Sequence, residues 1–85
     1  MFIVECEGII YGVGVSADAA VNDAREFVDI DDARIVHFDD GAQHYPAGCI
    51  GIWPATPALV AAVRHDSFGI RWRWNRDAKA ADLNY

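Results

Sequence analysis

The sequence predicts an α+β protein: a two-layer sandwich in the order ββαββαβ, with a mostly antiparallel sheet and both helices on one of its faces. Three observations predict it. Two short apolar runs flank Glu7-Gly8 between Phe2 and Gly14, the pattern of a β-hairpin. Ala20, Val21, Ala24, Phe27 and Val28 recur at helical spacing. The stretch 68–74 alternates apolar and basic residues with period two. Hydrophobic residues make up 53% of 85 residues, enough for one modest core without staples, and residues 1–85 read as a single domain.

The elements follow in order. In the hairpin, a two-residue turn at Glu7-Gly8 sets Cys6 against Ile9, Val4 against Tyr11 and Phe2 against Val13, all on the core face. Ile3, Glu5, Ile10, Gly12 and Gly14 then share the other face. Its two glycines suit a bulge or the close approach of another backbone. A helix follows over 16–28, with Ser16 as its N-cap and Asp18 in the first turn. Arg34–Phe38 reads as a strand ended by the turn Asp39-Asp40-Gly41. Residues 42–47 form an irregular loop, and Cys49–Trp53 is a short strand stopped by Pro54. A second helix over 57–66 starts at Thr56-Pro57 and ends on Arg64 and His65, with Gly69 beyond. The last strand, 68–74, turns Ile70, Trp72 and Trp74 one way and Arg71 and Arg73 the other, and the Ala-rich tail from Asn75 is expected to fray. This scheme buries Phe2, Val4, Val21, Phe27, Leu59, Val63 and Trp72 together.

Charge is unevenly distributed. Thirteen acids oppose seven basic residues, for a net charge of −6. Residues 1–45 hold ten acids against Arg25 and Arg34, whereas residues 46–85 hold three acids against five basic residues. An acidic half disfavours a phosphate-binding surface and favours a basic partner; the plain alternative is solubility. Asp29, Asp31 and Asp32 crowd the expected helix C-terminus, where the dipole makes each carboxylate unfavourable by a few tenths to about 1 kcal/mol. With Asp39 and Asp40 at the end of the next strand, and Asp23 and Glu26 on the helix, they form one candidate acidic ridge.

Other constellations have simpler readings. Gly12-Val-Gly14-Val-Ser-Ala17 matches G-x-G-x-x-A after a strand and before a helix, which would suit a dinucleotide. The chain lacks room for the further βα units of such a domain, so a twisted hairpin is the preferred use of the glycines. Cys6 and Cys49 lie in no C-x-x-C pattern and read as two reduced thiols. Together with His37, His44 and His65 they match no metal-ligand spacing, and no nucleophile sits in an elbow-like context. Asp31-Asp32 and Asp39-Asp40 could serve as acid–base pairs but read more simply as solvated turn residues. Arg71-Trp72-Arg73-Trp74 interleaves charge and aromatics as single-strand binders do, yet its alternation sends the tryptophans to the core. The apolar run in MFIVECEG is shorter than a signal peptide and lacks a basic start, which predicts a cytoplasmic protein, and no stretch reaches a membrane span.

Two resemblances bear on function. The hairpin followed by Ser-x-Asp-Ala-Ala-x-x-Asp-Ala-Arg resembles the N-terminal part of HicB-type antitoxins, which implies neutralisation of a toxin RNase. A short, acidic α+β chain with clustered carboxylates and no catalytic set is also similar in kind to the phage-encoded anti-CRISPR inhibitors. That likeness implies a protein that mimics nucleic-acid phosphates or plugs a basic channel of a CRISPR-Cas complex in the bacterial cytoplasm. The Pro-Asp-Leu-Pro-Gly-Cys element common in the antitoxins is missing, so the inhibitor reading is preferred. The expectation is therefore a non-enzymatic protein that needs no cofactor and no metal. It would bind a basic protein surface through Asp23, Glu26, Asp29, Asp31, Asp32, Asp39 and Asp40, with no direct nucleic-acid or membrane contact. A homodimer is compatible with this. The alternative is a small enzyme or nucleotide-binding module built on Gly12 and Gly14.

Overall fold

The structure is a computed structural model that describes residues 1–38, 48–65 and 70–84. Its elements are β1 (Phe2–Cys6), β2 (Ile9–Gly14), α1 (Ala17–Ala24), a 3₁₀ turn (Asp32–Arg34), β3 (Ile35–His37), β4 (Ile50–Pro54), α2 (Pro57–His65), β5 (Trp72–Asn75) and β6 (Ala80–Leu83). The α+β class holds. The order gains one strand, and the strands form two sheets: β2-β1-β4-β3 and the hairpin β5-β6. Pairing is antiparallel except between β3 and β4. The expected turn Asp39-Asp40-Gly41, the loop 42–47 and Gly69 lie outside the described residues.

The first hairpin turns where the sequence indicated. Glu7 and Gly8 both have positive φ, 54° and 84°, and Cys6 pairs with Ile9. Beyond that pair the register departs from expectation. Val4 pairs with Gly12 and Glu5 with Ile10, so Tyr11 is the extra residue of a β-bulge. Phe2 now faces Gly14, and Ile3 faces Val13. A one-residue shift moves a whole set of side chains to the opposite face.

The consequence is a third layer. Ile3 and Val4 point to opposite sides of β1, and both are fully buried. Val4, Ile50 and Ile52 pack against Ala20, Val21 and Ala24 of α1. Ile3, Val13 and Trp53 pack with Leu59, Val60 and Val63 of α2 and with Ala81 of β6. The helices therefore cover opposite faces of the four-stranded sheet, not one face as expected, because a strand apolar on both sides needs cover on both.

Gly12 and Gly14 explain how α1 sits so close. A Cβ on Gly12 would lie 2.5 Å from the Ala20 carbonyl oxygen, and one on Gly14 would lie 2.5 Å from the Ala20 nitrogen. The glycines admit the helix backbone, as the close-approach reading anticipated. Asp23 pins the same contact by accepting a hydrogen bond from Val13 N at 3.0 Å through Oδ2.

The second half follows its capping signals. The Thr56 hydroxyl accepts from Leu59 N at 3.2 Å, and Pro57 opens α2. Trp72 and Trp74 turn toward the core while Arg71 and Arg73 stay exposed. The expected fraying tail is instead β6. Ala80 and Ala81 are buried, and Asp82 ties the strand both to the start of α2 and to β5: Oδ1 accepts from Thr56 Oγ1 at 2.7 Å, and Oδ2 from Asn75 Nδ2 at 3.0 Å. Small side chains were needed where this strand meets α2, and they resembled a polar tail in sequence.

Candidate functional site

The acidic segment is built differently from the ridge that helix periodicity predicts. The helix stops at Ala24, with Arg25 N bonded to Val21 O at 3.0 Å. Phe27 N and Val28 N then both reach Ala24 O, at 3.0 and 3.1 Å, closing the turn. Phe27 therefore leaves the apolar stripe and stands 70% exposed, although helical spacing predicted it in the core. It is the largest exposed apolar side chain among the described residues. Val28 is half-buried, and Ile30 packs beneath the segment against the α1 side of the sheet.

The carboxylates differ in how far the fold engages them. Asp23 is taken up by Val13 N. Asp31 and Asp32 do not sit on the C-terminus of α1; they stand at the start of the 3₁₀ turn, a favourable place for negative charge. Asp31 Oδ1 caps that turn through Ala33 N at 3.0 Å, and Asp32 Oδ1 accepts from Arg25 Nη2 at 2.7 Å. Arg25 also donates to the Ile30 carbonyl at 3.1 Å, which holds the segment to the helix. Arg34 stands 4.0 Å from Asp31, both well exposed, so that pair contributes little. The dipole penalty expected at Asp29, Asp31 and Asp32 is thus absent, because the helix ends before reaching them. The side chains of Glu26 and Asp29 are exposed and have no hydrogen-bond or ion-pair partner among the described residues. They flank Phe27 in sequence. Asp39 and Asp40 lie outside the described residues.

Beside this segment, between α1 and β3, lies an open cleft of about 400 Å³. Val21, Ile35 and Ile52 supply apolar lining. Asp18, Asn22, Arg25, Asp32 and His37 supply the polar lining.

Other candidate groups are absorbed by the fold. Gly12 and Gly14 face the backbone of α1, so their close approach is to a helix. Burial pushes the Cys6 and Cys49 thiols above their ordinary pKa, with nearby Glu7 and Glu5 adding to it at Cys6 and Glu5 at Cys49. Less thiolate at neutral pH means a weaker nucleophile. Among the described residues no three His, Cys, Asp or Glu side chains gather as a metal site. No helix among them is long and apolar enough to cross a membrane.

The sequence reading missed Glu5. It is fully buried, with Oε1 accepting from Trp53 Nε1 at 3.0 Å and Oε2 from Gly8 N at 2.7 Å. A lone acid inside the apolar run FIVEC was the available signal. Comparison with protein-family models, curated proteins and solved structures gives no match.

Proposed function

We propose that this chain is a non-enzymatic acidic binding protein. It docks on a basic, nucleic-acid-binding surface of a protein partner in the bacterial cytoplasm and blocks what that surface binds, as anti-CRISPR inhibitors do. The observation that carries the reading is Phe27, 70% exposed between the exposed carboxylates of Glu26 and Asp29. A large exposed aromatic adds nothing to the core and makes a ready anchor for an interface. The surrounding acids steer a basic partner and set its orientation, while the aromatic supplies affinity. The segment is held in place by the Arg25 bonds to Ile30 O and Asp32, so little ordering is left to binding.

Of the seven carboxylates expected there, Glu26 and Asp29 form the working surface with Phe27, supported by Asp31 and Asp32; Asp23 is taken up by Val13 N, and Asp39 and Asp40 lie outside the described residues. The test is twofold. Tagged parent protein should retain a partner from bacterial lysate at low salt and lose most of it at high salt, and Phe27→Ala with Asp29→Asn should retain far less. In cells with an active CRISPR-Cas system, the parent should preserve a targeted plasmid, and the double variant should not. Retention indifferent to both salt and the double substitution would overturn the basic-partner reading. Plasmid loss across the tested systems would remove its anti-CRISPR form.

A further inference from the structure

We infer that the cleft between α1 and β3 receives a lysine or arginine side chain of the partner, an inference that rests on the basic-partner reading above. Long basic side chains have an apolar stem and a charged head, and they bind best where both find a match. The cleft offers both. Half-buried Ala17 and Ile35 line it with the apolar surface open to the stem, over a floor of Val21 and Ile52, which are almost completely buried. Asp18 and Asp32 line it with carboxylates for the head.

The charges select a cation over an anion. Arg25 is the one arginine among the described lining residues, and its guanidinium is already given to Ile30 O and Asp32 Oδ1. The side chains of Asp18, Asn22 and His37 have no hydrogen-bond or ion-pair partner among the described residues. The cleft therefore holds uncommitted acceptors beside an occupied cation. It opens next to the segment that carries Glu26 and Asp29, so one basic surface would meet ridge and cleft together.

The probe is a blocked Gly-Arg-Gly peptide titrated into the full chain, followed by amide chemical shifts. A citrulline analogue, of the same shape without the charge, and inorganic phosphate serve as comparisons. The arginine peptide should produce saturable shifts at Val21, Asn22 and Ile35. Citrulline should bind about two- to fivefold more weakly, as an exposed charge pair is worth at most about 1 kcal/mol. Asp18→Asn should weaken the arginine peptide by a similar factor. Asn22→Tyr, which fills the cleft without changing its charge, should abolish the cleft shifts. Equal binding of citrulline, stronger binding of phosphate, or shifts that survive Asn22→Tyr would each overturn the inference. Shifts confined to Glu26 and Asp29 would also overturn it, yet leave the basic-partner reading standing. Silence at both places would sink the cleft alone, since the lysate experiment judges the wider reading.

Discussion

The carboxylate of Glu5 lies fully buried, 3.0 Å from the indole N–H of Trp53 on the neighbouring strand. Gly51, which pairs with Glu5 across β1 and β4, makes the room. A Cβ on Gly51 would stand 2.8 Å from both Glu5 Oε1 and Trp53 Nε1, and 3.0 Å from Phe38. The three residues form one unit. Trp53 in turn stacks on Phe38 with ring centroids 4.5 Å apart and meets Trp72 edge-on at 5.2 Å, so the unit joins both sheets. Glu5→Ala removes the acceptor of the buried Trp53 N–H, a loss that costs about 1 to 3 kcal/mol, and also that of the part-buried Gly8 N–H, which water can replace at smaller cost. Urea denaturation should place this variant among the least stable single substitutions. Gly51→Ala should also destabilise, because the atoms in its way are buried and hydrogen-bonded. The two changes combined should cost less than their sum, since Glu5→Ala vacates part of the space that the new methyl needs.

Gly12→Ala and Gly14→Ala test the docking of α1. Each new methyl would meet helix backbone at 2.5 Å, and a backbone cannot swing aside as a flexible side chain can. Overpacking commonly costs about 1 to 3 kcal/mol, and these sites belong at the upper end or above it. Amide exchange should report faster opening at Val21 and Ala24, with Leu59 and Val60 of α2 less affected. Equal loss of protection in both helices would mean that α1 does not open separately from the rest.

The α+β class, the turn at Glu7-Gly8, the Ser16 and Thr56 caps and the inward face of Trp72 and Trp74 were all legible from the chain. Each is set by neighbours within a few residues. What the chain did not display depends on distant parts. The bulge at Tyr11 answers to α1, which needs both glycines on its own side. Phe27 fits the helical stripe by spacing, but spacing does not tell where a helix stops, and Ala24 is followed by a turn rather than a glycine cap. Strand β6 was hidden because AKAADL carries no strand-like alternation: it pairs locally with β5 across the turn at 76–79, but the contact that fixes its small residues is with the distant Thr56 end of α2. Of the ridge, the exposed acids were visible. Their separation into capping, paired and uncommitted groups was not.

Asp82 gives a prediction with a definite pH sense. The Thr56 hydroxyl, then Asn75 and Leu83 N–H, hold its carboxyl below the ordinary value of 3.8. A carboxylate depressed in the folded state stabilises above its unfolded pKa, and that contribution is lost as pH falls through the lower folded value. The parent should therefore lose this support only below about pH 4. Asp82→Asn should lower Tm at neutral pH, and its deficit against the parent should shrink as pH is taken down through that range. Thr56→Val should reproduce part of the deficit while also removing the cap on Leu59 N. A constant difference between Asp82→Asn and parent from neutral to acid pH would show that the charge itself has no role.

Phe27 distinguishes the fold from the function most sharply. Had it sat in the helical stripe, truncation to alanine would cost about 3 to 5 kcal/mol, enough to unfold so small a domain. At 70% exposure it leaves almost no cavity behind, and a surface change of this kind is expected to stay within about 0.5 kcal/mol. Phe27→Ala should accordingly melt with the parent. Glu26→Gln and Asp29→Asn should also leave Tm unchanged or raise it slightly, since neither carboxylate has a partner among the described residues to lose. Binding should respond quite differently. Removing the aromatic anchor should speed dissociation and weaken the complex by about tenfold or more, while removing the acids should mainly slow association and flatten its salt dependence. Stopped-flow association and dissociation rates at two ionic strengths separate these effects. If Phe27→Ala destabilises the protein by several kcal/mol, the side chain belongs to the core and the proposed anchor is lost. If it is stable and binds the captured partner with unchanged rates, the working surface lies elsewhere, and the exposed arginine face of β5 is the next to test.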